Sequence, residues 1–353
     1  MDPIRFALLG IGAGAIYALA AQGIVLVYRG SGVLNFAHGA MGMVAAFVFY
    51  DLRGGPHWPA LLCFGVAVPS AAAIGALTHL LVMRPLRHAS GLARLIATLG
   101  VLTLLQASAS QLWGNDFRVV TGILPDSSIT PLPHTTIGVD RVWLFGIAAA
   151  LTTVLMLVYR YTRFGRATGA VSENPRALAA LGHSPDVIAT VNWAAGAGLA
   201  GIGAIFIVPL TSLQVNSLTL LVVPALAAAL VGGFASFPLT LLGGMAIGVA
   251  ESEMARYVTA GGWAQSVPFL AIIAVLVLRG RALPLRGDTS DRPPELGTGQ
   301  VRPLAVLSAF VAGGALIWFV FSASWTDAAI TTLTVGIVVL SFVVVTGFAG
   351  QLS

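Results

Sequence analysis

Lysine is absent from this 353-residue chain, and all eighteen basic residues are arginine. A phosphate-binding loop of the G-x-x-x-x-G-K-[ST] type needs its lysine on the phosphates, so this chain cannot hydrolyse ATP through such a loop. Charge of either sign is scarce, at 9% of residues against roughly a quarter in a soluble domain. The single cysteine, Cys63, lies inside an apolar run and excludes an intrachain disulfide. No His/Cys/carboxylate cluster has metal-ligand spacing, and no nucleophile stands with a matching base. No cofactor motif is present, and no bond chemistry is expected of this chain.

What the chain has instead is apolar sequence, 57% of residues. Its natural unit is the span of about 20 apolar residues, and the fold class expected is an all-α polytopic membrane bundle. Nine spans are read at 6–28, 33–50, 59–83, 95–113, 142–159, 187–210, 220–231, 239–250 and 263–278. The seventh and eighth are short and separated by Gly232, Gly233, Ser236 and Pro238, so they are expected to tilt, break or cross only in part. Span one carries Gly10 and Gly14 in G-x-x-x-G spacing, and span six carries Gly196, Gly198, Gly201 and Gly203, both surfaces for close helix packing. The first run is too long for a signal-peptide core and reads as a retained helix.

Residues 279–303 form a linker with five arginines and four prolines. Two further spans follow, at 304–321 and 328–345. The expected organisation is therefore 1–278, a first transmembrane domain; 279–303, a cytoplasmic linker; and 304–353, the start of a second transmembrane domain. The chain's end echoes its beginning. Ala15-Ile-Tyr-Ala-Leu, Gly23-Ile-Val-Leu-Val and Asn35-Phe-Ala-His-Gly are matched by Ala329-Ile-Thr-Thr-Leu, Gly336-Ile-Val-Val-Leu and Gly347-Phe-Ala-Gly. Repeated halves are a common way to build a transporter around a central path.

Arginine placement orients the chain. The segments at 29–32, 84–94, 160–186 and 279–303 hold thirteen of the eighteen arginines, which assigns them to the cytoplasm and the N-terminus to the outside. The basic excess thus follows the membrane surface and implies no nucleic acid. Within the 160–186 segment, Asn174 suits an N-cap, Pro175 the first helical position and Gly182 the end of a short helix. A short helix rich in small residues in a cytoplasmic loop is either a docking element for a soluble partner or an ordinary solvated connector.

Intramembrane polar groups tend to be paired or to face a pathway. Asn35 and His38 flank an expected helix break, where they either line a path or hydrogen-bond across the break. Thr98, Thr103 and Gln106 give span four a polar face with the same two readings, path lining or helix-to-helix bonding. His79 is expected to be a satisfied packing histidine, and Glu251 and Glu253 to lie at the outer end of span eight. Gln214 and Asn216 are placed in an outer solvated loop.

Residues 1–278 resemble the first permease subunit of the branched-chain amino acid importers, an ATP-binding-cassette family. The resemblance is carried by Tyr28-Arg-Gly-Ser-Gly-Val-Leu-Asn-Phe-Ala-His-Gly, by Arg94-Leu-Ile-Ala-Thr-Leu-Gly with Leu105-Gln106, and by Arg166-Ala through Glu173-Asn-Pro-Arg-Ala-Leu-Ala-Ala-Leu-Gly182. The last fifty residues resemble the start of the companion permease subunit, with Gly347-Phe-Ala-Gly-Gln-Leu-Ser353. The chain is thus similar to a fusion of the two, with most of the second absent. The resemblance implies separate cytoplasmic ATP-binding subunits, an extracytoplasmic substrate-binding protein, a surrounding of membrane lipid and a second permease unit as partners, with no cofactor. It implies that Glu173, Asn174, Pro175, Arg176, Ala177, Leu178, Ala179, Ala180, Leu181 and Gly182 form the helix that docks on the ATPase. The wider importer class places its glycine six residues after the glutamate, whereas the gap here is nine. Similar permeases carry urea or short amides, and the spans do not separate these from amino acids. An ion-driven transporter is the rival mechanism. It usually needs carboxylates at membrane depth, and no span places one near its middle.

Overall fold

The structure, a computed structural model, describes residues 3–125, 127–132, 135–258, 261–279 and 303–342. It is almost wholly helical and divides into two compact units, Met1–Thr289 and Ser290–Ser353.

The first unit begins with α1 (Pro3–Ser31), followed by α2 (His38–Gly54), α3 (Ala60–Thr78), α4 (Gly91–Trp113) and α5 (Val139–Tyr161). Two short helices, α6 (Arg163–Glu173) and α7 (Pro175–Ala180), lead into α8 (Pro185–Ile207). A broken pair, α9 (Val215–Thr219) and α10 (Val222–Val231), precedes α11 (Phe237–Tyr257) and α12 (Trp263–Arg279). Five stretches are long and apolar enough to cross a membrane: Arg5–Ser31, Ala60–Met83, Gly91–Trp113, Val139–Tyr161 and Pro185–Leu210. The other expected spans are shorter or less apolar helices.

Small residues decide which helices sit at the centre. α1 packs against α8, α10 and α11, and almost every residue from Gly14 to Val27 is buried. A Cβ on Gly10 would sit 2.5 Å from the Gly248 carbonyl oxygen, and one on Gly14 would sit 2.7 Å from that of Gly244. The G-x-x-x-G pair of α1 thus meets Gly244 and Gly248 of α11, with backbone against backbone. Lipid tails are as apolar as leucine, so such close van der Waals packing replaces the hydrophobic drive that holds soluble helices together. On the other side Gly23 of α1 meets Gly196 of α8, and Gly201 of α8 meets Ala45 and Ala71. α3, α4, α5 and α12 form an outer layer that leaves most of its surface exposed.

Several elements differ from the expectation. α11 does not stop near residue 250; it runs on to Tyr257 and carries Glu251 inside the helix. The segment after span five holds two helices where one is expected. The polar stretch between α4 and α5 contains an antiparallel hairpin, β1 (Ser128–Leu132) with β2 (Thr135–Gly138). The loop expected to be solvated at 211–219 folds instead into α9, with Val215, Leu218 and Thr219 buried against α2. At its far end α3 widens into a π-turn at His79–Met83, closed by the Arg84 amide donating to the His79 carbonyl at 2.8 Å.

The second unit contains α13 (Pro303–Phe319) and α14 (Ala323–Phe342), two apolar helices joined by a tight connection. The linker residues 280–302 and the closing Gly347-Phe-Ala-Gly-Gln-Leu-Ser motif lie outside the described residues.

Candidate functional site

The ten residues from Glu173 to Gly182 come together as a capped helical turn. Asn174 is its N-cap, and the side-chain oxygen accepts from the Ala177 amide at 3.0 Å. Pro175 takes the first helical position, where its missing N–H leaves no donor unsatisfied. At the other end Gly182 has φ +83°. Its amide donates to the Ala179 carbonyl at 3.0 Å and the His183 amide to the Leu178 carbonyl at 3.3 Å. These two bonds are a Schellman closure, which needs the left-handed residue that glycine supplies without strain.

Leu178 is the one buried side chain of this helix, packed on Val171 and Ile188. Glu173, Asn174, Pro175, Arg176, Ala177, Ala179, Ala180, Leu181 and Gly182 are all exposed. Nothing stands within 4 Å of a Cβ built on Gly182. The helix is therefore pinned at one point and presents small residues, Leu181 and one arginine outward. It rests on α6, which sequence reasoning missed. There Thr162 caps the helix through a 3.2 Å bond from the Gly165 amide, and Phe164, Ala167, Ala170 and Val171 form its packed face.

A second assembly forms where two helices break. Between α1 and α2 the chain leaves helical geometry at residues 32–37, starting at Gly32 with φ +68°. α2 then begins well inside the bundle, since His38 Nε2 lies 2.9 Å from the Ala20 carbonyl oxygen. The break between α9 and α10 arrives at the same place: Gly39 packs against the Thr219 carbonyl, and Thr219 Oγ1 reaches the Met43 sulfur at 3.6 Å. Irregular backbone at membrane depth is tolerated only where protein or a water-filled cavity satisfies it.

The sequence-chosen polar residues divide here. Asn35 and His38 are fully buried. Asn35 Oδ1 accepts from the Ala37 amide at 3.0 Å. Thr98 is also fully buried and accepts from the Phe36 amide at 3.3 Å. These three residues are brought together and hold the break in shape. Among the described residues His38 Nδ1 is buried without a hydrogen-bond partner. Thr103 and Gln106 are not brought to them: Thr103 is exposed on α4, bonded only to the Gly100 carbonyl of its own helix, and Gln106 is half-buried. The exposed stripe Gly100–Thr103–Ala107–Gln111 faces away from the packed core.

Other polar residues were missed or misread. Asn192 in α8 is fully buried and joins three elements. Its Oδ1 accepts from the Tyr159 hydroxyl of α5, while its Nδ2 donates to Thr168 Oγ1 of α6 at 3.2 Å and to the Ile188 carbonyl at 2.8 Å. A lone asparagine in an Ala/Gly-rich span was the available signal. Gln22 of α1 donates to Thr152 Oγ1 at 2.9 Å and to the Phe237 carbonyl at 3.0 Å. Glu251 lies within α11 at the level where α1 begins, and it accepts from the Tyr17 hydroxyl of α1 at 2.8 Å. His79 packs beside Trp193, but it is not the satisfied histidine expected: among the described residues neither ring nitrogen has a hydrogen-bond partner.

Residues 6–276 match the family described as branched-chain amino acid transport system / permease component. This chain belongs to that permease family. The match covers well over half of the chain, stops just short of the arginine- and proline-rich linker, and includes both the broken helices and the capped α7. Among relatives of this permease, the high-affinity branched-chain amino acid transport system permease protein BraD of Pseudomonas aeruginosa is 27% identical over 286 residues, covering 76% of this chain and 92% of the relative. LivH of Escherichia coli K12 is 25% identical over 294 residues, 76% of this chain and 91% of the relative. A probable LivH of Methanocaldococcus jannaschii is 25% identical over 279 residues, 74% and 84%. No solved structure matches the permease.

Proposed function

We propose that this permease carries branched-chain or other hydrophobic amino acids inward across the inner membrane, driven by separate ATP-binding subunits docked on α7. The observation that carries the docking role is the geometry of residues 173–182. A six-residue helix is marginal alone, yet this one is capped at both ends, held by a single buried leucine and otherwise exposed. Gly182, with open space around it, lets a partner's backbone approach closely. Asn192, tied to Tyr159 and Thr168, transmits movement of the α6–α7 pair into the bundle. On the arginine asymmetry, α7 is cytoplasmic and the N-terminus is outside, where a substrate-binding protein delivers the cargo.

In this reading Asn35, His38 and Thr98 set the shape of the break at membrane depth, and Thr103 and Gln106 lie on a face of α4 available to a second permease unit. Residues 304–353 begin such a unit after a linker at 279–303. Translocation then proceeds between the two, with no bond chemistry in the permease itself.

The test is purification from the native membrane in mild detergent, with identification of bound soluble proteins, repeated for Gly182→Arg. Co-purification of ATPase subunits with the parent and their loss from the variant supports the docking role. A parent that stays folded and captures no ATPase, yet transports leucine on an ion gradient, would replace this reading with the ion-driven one.

A further inference from the structure

At the end of the bundle where α1 begins, residues 114–124 cross over the tips of α5 and α8. The crossing is fastened at Arg118. Its amide donates to the Leu213 carbonyl at 3.4 Å and its carbonyl accepts from the Leu213 amide at 3.0 Å. Its guanidinium donates to the Trp113 carbonyl at 2.7 Å and lies 3.7 Å from the Asp51 carboxylate. Beneath this strap lies a cavity of about 210 Å³. Val120, Ile123, Leu144, Ile205 and Phe206 supply its apolar walls, and among the described residues Asp140 is the one ionisable residue of its lining.

Asp140 is half-buried in the first turn of α5, with its carboxylate folded back over Gly138. Among the described residues it makes no ion pair and no side-chain hydrogen bond. Val120, Gly122, Ile123 and Leu124 line the same cavity, and their peptide N–H groups make no backbone hydrogen bond among the described residues. One small space is therefore lined by a carboxylate without an ion-pair partner among the described residues, by peptide groups without a backbone acceptor and by an apolar surface.

We propose that this cavity is a subsite for a hydrophobic α-amino acid, entered before the cargo reaches the broken helices. The ammonium group bonds to Asp140, the carboxylate takes the free N–H groups of the 122–124 turn, and the branched side chain lies against Ile123, Leu144, Ile205 and Phe206. The assignment rests on the reading of the chain as an amino-acid permease and narrows it. A zwitterion satisfies both polar walls at once. Urea or a short amide brings no cation and no apolar body, so it leaves Asp140 unpaired and the walls unfilled. The volume suits one leucine-sized molecule.

The probe is photo-leucine, whose diazirine replaces part of the leucine side chain. It is irradiated with the full chain in lipid nanodiscs, and the labelled peptides are mapped by mass spectrometry. Label is expected on 120–124 and 205–210, displaced by excess leucine and not by urea. Asp140→Asn removes a charge-assisted bond and is expected to lower labelling about tenfold or more. Leu144→Trp fills the space and should abolish it. A des-amino photo-acid tested on the parent needs no variant to fold, and it should label about tenfold less. Label elsewhere in the chain, no label above the light-only background, or equal labelling by the des-amino acid overturns the subsite. ATP-dependent leucine uptake by cells carrying the intact importer is measured alongside. Uptake without label in the cavity removes the subsite alone, whereas no uptake removes the permease reading itself.

Discussion

The two caps of α7 allow a quantitative test of how this short helix is held. Asn174→Ala removes the 3.0 Å bond to the Ala177 amide, a loss of about 1 kcal/mol for an N-cap. Gly182→Ala forces an L-residue into φ +83°, at a cost of about 1–2 kcal/mol. The two caps close opposite ends of one six-residue helix that opens as a unit, so their effects add. The double variant should favour the open form by about 2–3 kcal/mol, or roughly 30- to 150-fold. Hydrogen–deuterium exchange reads this directly at the Gly182 and His183 amides, which donate to Ala179 and Leu178 only when the closure is intact. Each single variant should show part of the acceleration, and amides in α8 should not change. Val171 and Ile188, on which Leu178 packs, belong to α6 and α8, so those helices should stay folded when α7 opens. Unchanged exchange at Gly182 and His183 in the double variant would refute the reasoning, because the helix would then be held by something other than its caps.

Three further outcomes follow from other contacts. Asn192→Leu removes the acceptor of the Tyr159 hydroxyl and leaves it Thr168 as side-chain partner, a loss of about 0.5–1.5 kcal/mol per hydrogen bond removed; it should lower Tm and speed amide exchange in α6 before α1. Gly248→Val drives a side chain into Gly10 and Gly14 and should separate α1 from α11, seen as loss of a monodisperse peak on size exclusion, while Gly100→Val, with nothing within 4 Å, should leave Tm unchanged. Thr98→Val takes away the acceptor of the Phe36 amide and should destabilise by about 1–3 kcal/mol; Thr103→Val and Gln106→Leu should leave Tm unchanged and lower leucine uptake, and unaltered uptake would remove those two from the path.

The bundle was legible because lipid imposes length and polarity on every span. Gly10 and Gly14 announced a close contact before their partner was known, and Asn174, Pro175 and Gly182 marked both ends of α7 through local backbone chemistry alone. The α6 helix escaped because its apolar face is only Phe164, Ala167, Ala170 and Val171, interrupted by Gly165 and Gly169, and it gains its stability from Tyr159 and Ile188 across space. α9 escaped for a related reason. Gln214, Asn216 and Ser217 read as solvent-facing, while the alternate residues Val215, Leu218 and Thr219 are what α2 covers. Glu251 falls at the outer end of span eight, as expected, beside the start of α1 where Ser252 bonds the Phe6 carbonyl; its partner, the Tyr17 hydroxyl, lies on another helix and is not encoded locally.

The polar candidates show the same division between local and distant causes. Asn35 makes its decisive bond two residues away, to the Ala37 amide, and was picked out correctly as part of a helix break. Whether Thr98 turns inward and Thr103 outward depends on the rotation of α4 against a break sixty residues earlier, which no local pattern encodes. That rotation is what separates the two roles. The inward face of α4 completes the hydrogen bonding of the 32–37 segment, so it cannot move without exposing the Phe36 amide. The outward stripe of Gly100, Thr103, Ala107 and Gln111 is exposed, and among the described residues nothing stands within 4 Å of a Cβ built on Gly100. A conformational change that leaves the first unit's core intact must therefore act at such outward faces, while Asn192 ties α8 to Tyr159 of α5 and Thr168 of α6, and Leu178 ties α7 to Val171 and Ile188.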